Sequence, residues 1–316
     1  MAEEILGIHH ITALASDPQH NLDFYTGALG LRLVKRTVNF DDPTTYHFYY
    51  GNESGAPGTI LTFFPWPESP RGRIGTGQVT ATAFSIPESS LDYWGERLER
   101  GGAAVDGLET RFGERVLTFS DPDGLKLELV AHAGASGWSS WSEGPVPAEH
   151  AIRGFHSATL AEEGYERTAM LLMESFGFRL VGETGNRFRY EVGGDSPGGV
   201  IDLVCAPDTA VGRMGAGTVH HIAWRVSDEA QQLEWRSEIA NLGLNVTPVL
   251  DRQYFRSIYF REPGGVLFEI ATDPPGFTAD EALASLGGEL KLPPWLESAR
   301  RTIEKRLPPV RLPGTV

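Results

Sequence analysis

The chain has 316 residues, 41% of them hydrophobic and 22% charged, and carries a formal net charge of −15. This length suggests two domains at about 150 residues each, and this composition suits a soluble globular protein with a sizeable core. So acidic a surface repels phosphate backbones and anionic membranes, which argues against nucleic acid as a partner, and no apolar run nears the roughly 18 residues of a membrane span.

The N-terminus, "MAEEILGIHH", has no basic n-region and no long apolar stretch, so a cytoplasmic location is expected. The first predicted strand, "GIHHITAL", holds two of the nine histidines. A helix-like run, "PQHNLDFYTGALG", follows it, and then a second strand, "LRLVKRTVNF". Asp17 suits the helix N-terminus and Gly30 its C-cap. Two more strand-like runs complete the unit, the last after a glycine turn at "GTILTFF". The plan is βαβββ over residues 6–66. It recurs over 77–132, where the helix closes at Gly102 and the last strand lies in "DPDGLKLELV". Residues 133–151 are rich in Gly, Ser and Pro and read as a linker.

A third unit, 152–205, closes its helix at Gly177 and ends in "GGVIDLVCA". Cys205 is the sole cysteine, and its place in a strand predicts a buried, inert thiol. The fourth unit, 217–271, opens with "TVHHIAWRV", starts its helix at Asp228 and closes it at Gly243. Its second strand is expected in "LNVTPVL" and its last in "EPGGVLFEIA". Residues 272–316 form a tail in which "PWLESARRTIEKRL" is predicted to be a helix with Pro at its start.

From His10, Ala81, Ser157 and His221 to the four helix-ending glycines the separations are 20, 21, 20 and 22 residues, so the units are repeats of one plan. One helix covers one face of a small sheet, and the other face needs a partner unit. The fold class is therefore α+β, with four βαβββ modules pairing into two curved half-barrel cups.

This pattern resembles the vicinal oxygen chelate superfamily, which includes glyoxalase I and extradiol dioxygenases. The resemblance implies one metal ligand from the first strand of a unit and another from its last. The first-strand positions are His10, Ala81, Ser157 and His221. Counting from the turn glycine, the last-strand positions are Thr62, Glu128, Leu203 and Glu269. Pairing units one and four gathers His10, His221 and Glu269 in one cup, and leaves units two and three with Glu128 alone, a remnant without metal. Two histidines and a carboxylate form the facial triad of non-haem Fe(II) oxygenases, with positions open for substrate and O₂. Adjacent strand residues face opposite ways, so only one histidine of each pair is expected to point straight into the cup. His9 and His220 become groups that orient or protonate, and His156, which aligns with them, reads as structural.

The run "DRQYFRSIYFREPGGVLFEIATD" (251–273), with "GIHHIT", "TVHHIA" and the tail, resembles a bacterial group of ring-cleaving dioxygenases acting on hydroquinones and their methyl or chloro derivatives. That resemblance implies Fe(II), sometimes Mn(II), at His10, His221 and Glu269, with Zn or Ni acquired on purification as alternatives. It implies roles around the metal for His9, Thr12, His220, Arg252 and Tyr259. The partners it implies are a small aromatic diol and O₂, and catechol stays open beside hydroquinone, as does a homo-oligomer. His9, His220 and Tyr259 are candidates to move the phenolic proton, and Arg252 to stabilise negative charge. Arg252 also reads as a surface charge and Tyr259 as a packing aromatic. Glyoxalase-type isomerisation is the rival within the fold, but it needs a fourth ligand where Thr62 stands. A metal-free binding module is the rival outside it, and it would bury three polar groups for no gain.

Overall fold

The computed structural model describes residues 3–194 and 197–313; residues 195 and 196 of the third unit and 314–316 of the tail lie outside the described residues. In the first unit, β1 (Ile8–Ala15) leads through α1 (Pro18–Leu22) to β2 (Arg32–Val38), β3 (Tyr46–Gly51) and β4 (Ile60–Pro65). The second has β5 (Gln78–Ile86), α2 (Leu91–Arg100), β6 (Ala104–Arg111), β7 (Glu114–Ser120) and β8 (Lys126–Ala131). The third has β9 (Phe155–Glu162), α3 (Glu166–Met170), β10 (Arg179–Thr184), β11 (Arg187–Glu191) and β12 (Val200–Cys205). The fourth has β13 (Thr218–Val226), α4 (Glu229–Asn241), β14 (Leu250–Asp251), β15 (Arg256–Arg261) and β16 (Leu267–Thr272).

These strands form two eight-stranded sheets, ordered β14-β15-β16-β13-β1-β4-β3-β2 and β10-β11-β12-β9-β5-β8-β7-β6. Units one and four thus share one sheet and units two and three the other, as the ligand pattern predicts. Each sheet is joined at its centre by an antiparallel pair of first strands, β1 with β13 and β5 with β9. Inside each unit the first strand runs parallel to the last.

The local signals act as their chemistry requires. The Asp17 and Asp228 side chains accept from the backbone N–H of His20 and Gln231 and so cap their helices. Gly30, Gly102, Gly177 and Gly243 all have positive φ, between 66° and 83°, which an L side chain adopts only with strain. Four expectations are revised. The first and third helices finish as π-helical turns, Asp23–Ala28 and Leu171–Ser175, which fit one extra residue into the turn. The second strand of unit four shrinks to Leu250–Asp251, with Val246 making one isolated bridge to Phe260; Pro248 supplies no N–H to continue the ladder. The tail helix is short, α5 (Arg300–Arg306), after a 3₁₀ turn at Glu297–Ala299. Cys205 is partly exposed rather than buried, because β12 ends there.

One apolar cluster behind the sheets takes residues from all four units. Trp94, Trp224 and Trp235 are fully buried in it, and Phe176 of unit three packs edge-on against Trp224 and Trp235 of unit four. Burying even a Leu or Phe side chain contributes ~1.5–3 kcal/mol, so this shared layer, not the cups, holds the fold together. A ring of backbone hydrogen bonds also ties unit one to unit three: Ile8 N–H to Gly198 O (2.9 Å), Gly198 N–H to Phe155 O (2.7 Å), Phe155 N–H to Gly58 O (2.8 Å) and Gly58 N–H to His9 O (2.9 Å). The approach is close enough that a Cβ on Gly198 would lie 2.9 Å from that of Ile8.

The tail is more than an appendage. Lys291 N–H donates to Arg36 O at 2.9 Å, so the tail covers the edge strand β2. Phe277 and Leu286 pack with Tyr49, Tyr254 and Phe255 inside the first cup. Lys35, fully buried, donates to Asp280 (2.6 Å) and Glu281 (2.5 Å) of the tail. Among the described residues no helix is long and apolar enough to cross a membrane.

Candidate metal centre and its cavity

The pairing of β1 with β13 slips twice, between Ile8 and His10 and between Thr12 and Ala13. Across the first slip Trp224 and Ala223 oppose Ile8 and His10; across the second, His221 and Val219 oppose Thr12 and Ala13. His9 and His220 are therefore the extra residues of two β-bulges, and a bulged residue escapes strict alternation. For the His220–His221 pair this corrects the expectation that only one histidine points into the cup. His9 Nδ1 lies 2.9 Å from His10 Nδ1, and His220 Nδ1 lies 2.7 Å from His221 Nδ1. His220 even lines the same cavity as His221, whereas His9 does not.

Three side chains from three strands converge. His10 Nε2 and His221 Nε2 are 3.3 Å apart, and they lie 3.3 and 2.9 Å from Glu269 Oε2. Glu269 is fully buried, and His10 and His221 nearly so. The other Glu269 oxygen accepts from Ser257 Oγ at 2.5 Å, which leaves Oε2 without a hydrogen-bond donor. Among the described residues this is the one group of His, Cys, Asp or Glu that could hold a metal ion.

The donor set fits a divalent cation. Burial holds His9 well below the usual imidazole range, and His10 adds to the effect. Burial, with His221 beside it, brings His220 down to about 3. Both rings are neutral at pH 7 and can accept the Nδ1–H of the histidine beside them. His10 and His221 then keep their lone pairs on Nε2, facing the carboxylate. Burial alone would raise the Glu269 carboxyl, but His10 and His221 outweigh it and hold the group well below its ordinary value. With Nε2 free on both rings, two lone pairs and a carboxylate oxygen face one another, an arrangement that a divalent cation relieves; without the cation, protons on the imidazoles do so and hold Glu269 down.

Above the three lies a cavity of about 420 Å³. Its walls are aromatic at Phe40, Phe64, Trp66 and Phe255, and polar at His47, Tyr49, His220, Arg252 and Tyr259. Phe255 packs tilted against His10 at 4.9 Å and edge-on against His9 at 5.1 Å. Arg252 Nε donates to Tyr259 OH (3.3 Å), and its Nη1 pairs with Asp41 (3.1 Å) at the mouth. Burial works against the Arg252 charge, but Tyr259 and Asp41 outweigh it and raise its pKa. Burial, with Glu269 nearby, raises Tyr259, so its phenol stays protonated. Thr12 shares the inward face with His10 but is fully buried and accepts from Thr62 Oγ1 at 2.9 Å. Of the eight residues singled out in the sequence, His10, His220, His221, Arg252 and Tyr259 line the cavity. His9, Thr12 and Glu269 lie behind its wall. Sequence reading missed His47 and Tyr49, although alternation in "YHFYY" puts both on the face opposite Tyr46, Phe48 and Tyr50.

The glyoxalase/bleomycin resistance protein/dioxygenase superfamily model matches residues 7–129 and 154–270. The chain belongs to this superfamily. It is 51% identical over 309 residues to MhqO of Bacillus subtilis strain 168, named as a ring-cleaving dioxygenase, covering 98% of both chains. It is 36% identical over 308 residues to a chlorohydroquinone/hydroquinone 1,2-dioxygenase of Sphingobium indicum, covering 95% of both. A crystal structure from Bacillus subtilis strain 168, of a protein described as a dioxygenase, superposes with a TM-score of 0.94 at 50% identity, covering 98% of this chain and 99% of that one.

This superfamily member uses its two cups differently. In the second cup Ala81 and Ser157 stand where the first has His10 and His221. The carboxylate positions are both filled, which corrects the sequence reading. The residue opposite Thr159, as Glu269 is opposite Ala223, is Asp202 and not Leu203. The count went astray at the Gly198–Gly199 doublet, where Gly198 has the positive φ of 78° that the other turn glycines share. Leu203 faces the apolar cluster. Arg111 grips both oxygens of Glu128 at 3.0 Å, and Arg189 and Arg187 hold Asp202 at 2.8 and 2.9 Å. His156, also at a bulge, lies 3.0 Å from Glu114 Oε1, and against its burial His156 and Arg189 hold Glu114 down at about 2.

Proposed function

We infer that the protein is a metal-dependent ring-cleaving dioxygenase of hydroquinones, using Fe(II) or Mn(II). The observation that carries this reading is the convergence of His10 Nε2, His221 Nε2 and Glu269 Oε2 beneath an aromatic-walled cavity. The names borne by its relatives support it. When bound, the metal would supply adjacent open positions where a ring oxygen and O₂ meet and electrons pass between them.

The chain's own residues do the rest. The aromatic walls hold a ring flat and exclude water. Arg252 and Tyr259 are donors fixed on one wall, suited to oxygen atoms that gain negative charge. Of the three candidates to take the phenolic proton, His9 lies behind the wall and Tyr259 is kept protonated. His220 lines the cavity, but its Nδ1 accepts from His221, so the neutral ring presents Nε2–H and serves there as a donor to a substrate oxygen rather than as the base. His9 and His220 also fix the tautomers of the two ligand rings.

The test is anaerobic reconstitution with Fe(II), followed by O₂ uptake with methylhydroquinone in the wild type and in Glu269→Ala. Stoichiometric uptake with a ring-opened chromophore, lost in the variant, is expected. Bound iron with no uptake would move the assignment to isomerase chemistry.

A further inference from the structure

Strand β3 alternates: Tyr46, Phe48 and Tyr50 enter the apolar cluster behind the sheet, while His47 and Tyr49 line the cavity. These two begin a hydrogen-bonded chain. Tyr49 OH lies 2.8 Å from His47 Nδ1, His47 Nε2 lies 2.8 Å from Thr62 Oγ1, and Thr62 Oγ1 donates to Thr12 Oγ1 at 2.9 Å. The chain has one direction. A threonine hydroxyl has one proton, and that of Thr62 goes to Thr12, so Thr62 accepts from His47 Nε2–H. The neutral imidazole then carries its lone pair on Nδ1, and Tyr49 must donate to it. The Tyr49 proton is therefore committed inward. What its oxygen offers the cavity is lone pairs alone.

We propose that Tyr49, oriented by His47, accepts the hydrogen of a second ring hydroxyl, the one not held at His10, His221 and Glu269. The cavity thereby selects rings with two free O–H groups over their mono-ethers. This rests on the ring-cleaving reading above. Arg252 can only donate; Asn39 and Asp41 line the cavity from the loop that follows β2, where Asn39 Oδ1 accepts from Asp41 N–H and the exposed Asp41 carboxylate is paired with Arg252. Tyr49 is 1% exposed and packs against Phe277 at 5.1 Å and Tyr254 at 6.2 Å, so its ring cannot turn away. His47 is a positioning residue: its contribution is the polarity of the Tyr49 hydroxyl. A site built to accept from a hydroxyl rejects the analogue that lacks the proton, because its own acceptor is left unpaired.

The experiment measures binding of hydroquinone and of its mono-methyl ether, 4-methoxyphenol, to the metal-loaded enzyme without O₂, by calorimetry. The wild type is expected to hold hydroquinone about tenfold tighter. Tyr49→Phe keeps the ring packing and should bring the two affinities together. His47→Phe frees the Tyr49 proton for the cavity, so the ether should gain affinity, a change that loose packing alone would not give. Retention of the wild-type ratio in both variants overturns the proposal. A wild type that cleaves hydroquinone yet binds the ether equally well overturns it too, and leaves the ring-cleaving reading standing. A wild type that binds neither ring removes both.

Discussion

At the scale of single residues, the two histidine doublets owe their chemistry to an irregularity of the backbone. Without the bulges, His9 and His220 would face away from the ligands beside them; with them, each Nδ1 meets its neighbour's. His9 makes the consequence testable, because it has no surface in the cavity. His9→Leu removes the acceptor that fixes the His10 tautomer. Metal affinity, measured by chelator competition, should fall about 10- to 100-fold, and His9→Gln, whose amide oxygen can accept, should recover part of it. The fold without metal should lose about 1–3 kcal/mol in His9→Leu, since the buried His10 Nδ1–H is left without an acceptor, and His9→Gln should recover part of that as well. Equal metal affinity in His9→Leu and wild type would show that the doublet is a packing accident. His10, His221 and Glu269 were legible in the sequence because four repeats supplied an internal alignment. Asp202 was not, because two adjacent glycines left the count ambiguous and only backbone φ decides between them. The bulges were not legible either, since register belongs to the pair of strands and not to one of them.

Among the elements, those with a local cause were readable: helix starts at Asp17 and Asp228, helix ends at glycine, and the order of strands. Those settled by packing were not, such as the π-helical turns, the shortened strand after Pro248, and the tail segment inside the cup. The junctions between a first strand and the turn of its neighbouring unit show how repeats diverge. Between units one and two, Asp123 accepts from Ser16 N–H and Oγ–H. Between units three and four, Gly264 stands in that turn, and the Glu162 carboxyl fills the space, 2.4 Å from where a Cβ on Gly264 would sit. Both Glu162 oxygens are buried without partners. Burial, with Glu262 adding to it, pushes this carboxyl up to about 8. The folded state therefore holds this proton more tightly than the unfolded chain does. The stability from it is full below the ordinary carboxyl range, and it is lost as pH rises toward about 8. Urea midpoints of the wild type should fall between pH 5 and pH 8.5 by more than those of Glu162→Gln, which carries no titrating proton. Parallel falls in the two proteins would rule Glu162 out as the cause.

For the whole molecule, the question is why a chain should keep two cups when the candidate metal ligands gather in one. The second cup keeps carboxylates at both last-strand positions but meets them with arginines, so charge that a metal would neutralise is neutralised within the chain. A buried carboxylate without its partner is costly, and the intact pair is worth little against an apolar replacement of the same shape. Arg111→Met should therefore destabilise the protein by ~3–5 kcal/mol in chemical denaturation, because Glu128 is left buried and unpaired. The double variant Arg111→Met, Glu128→Leu should regain most of that loss. Neither change touches the first cup, so metal bound per folded chain and turnover per bound metal should match the wild type. The shared apolar layer and the Gly58–Gly198 backbone ring give the second cup its part: it braces the strands that carry His10 and His221. If the double variant folds to wild-type stability yet loses turnover, the second cup contributes something beyond bracing, and the division between a reacting cup and a supporting one fails.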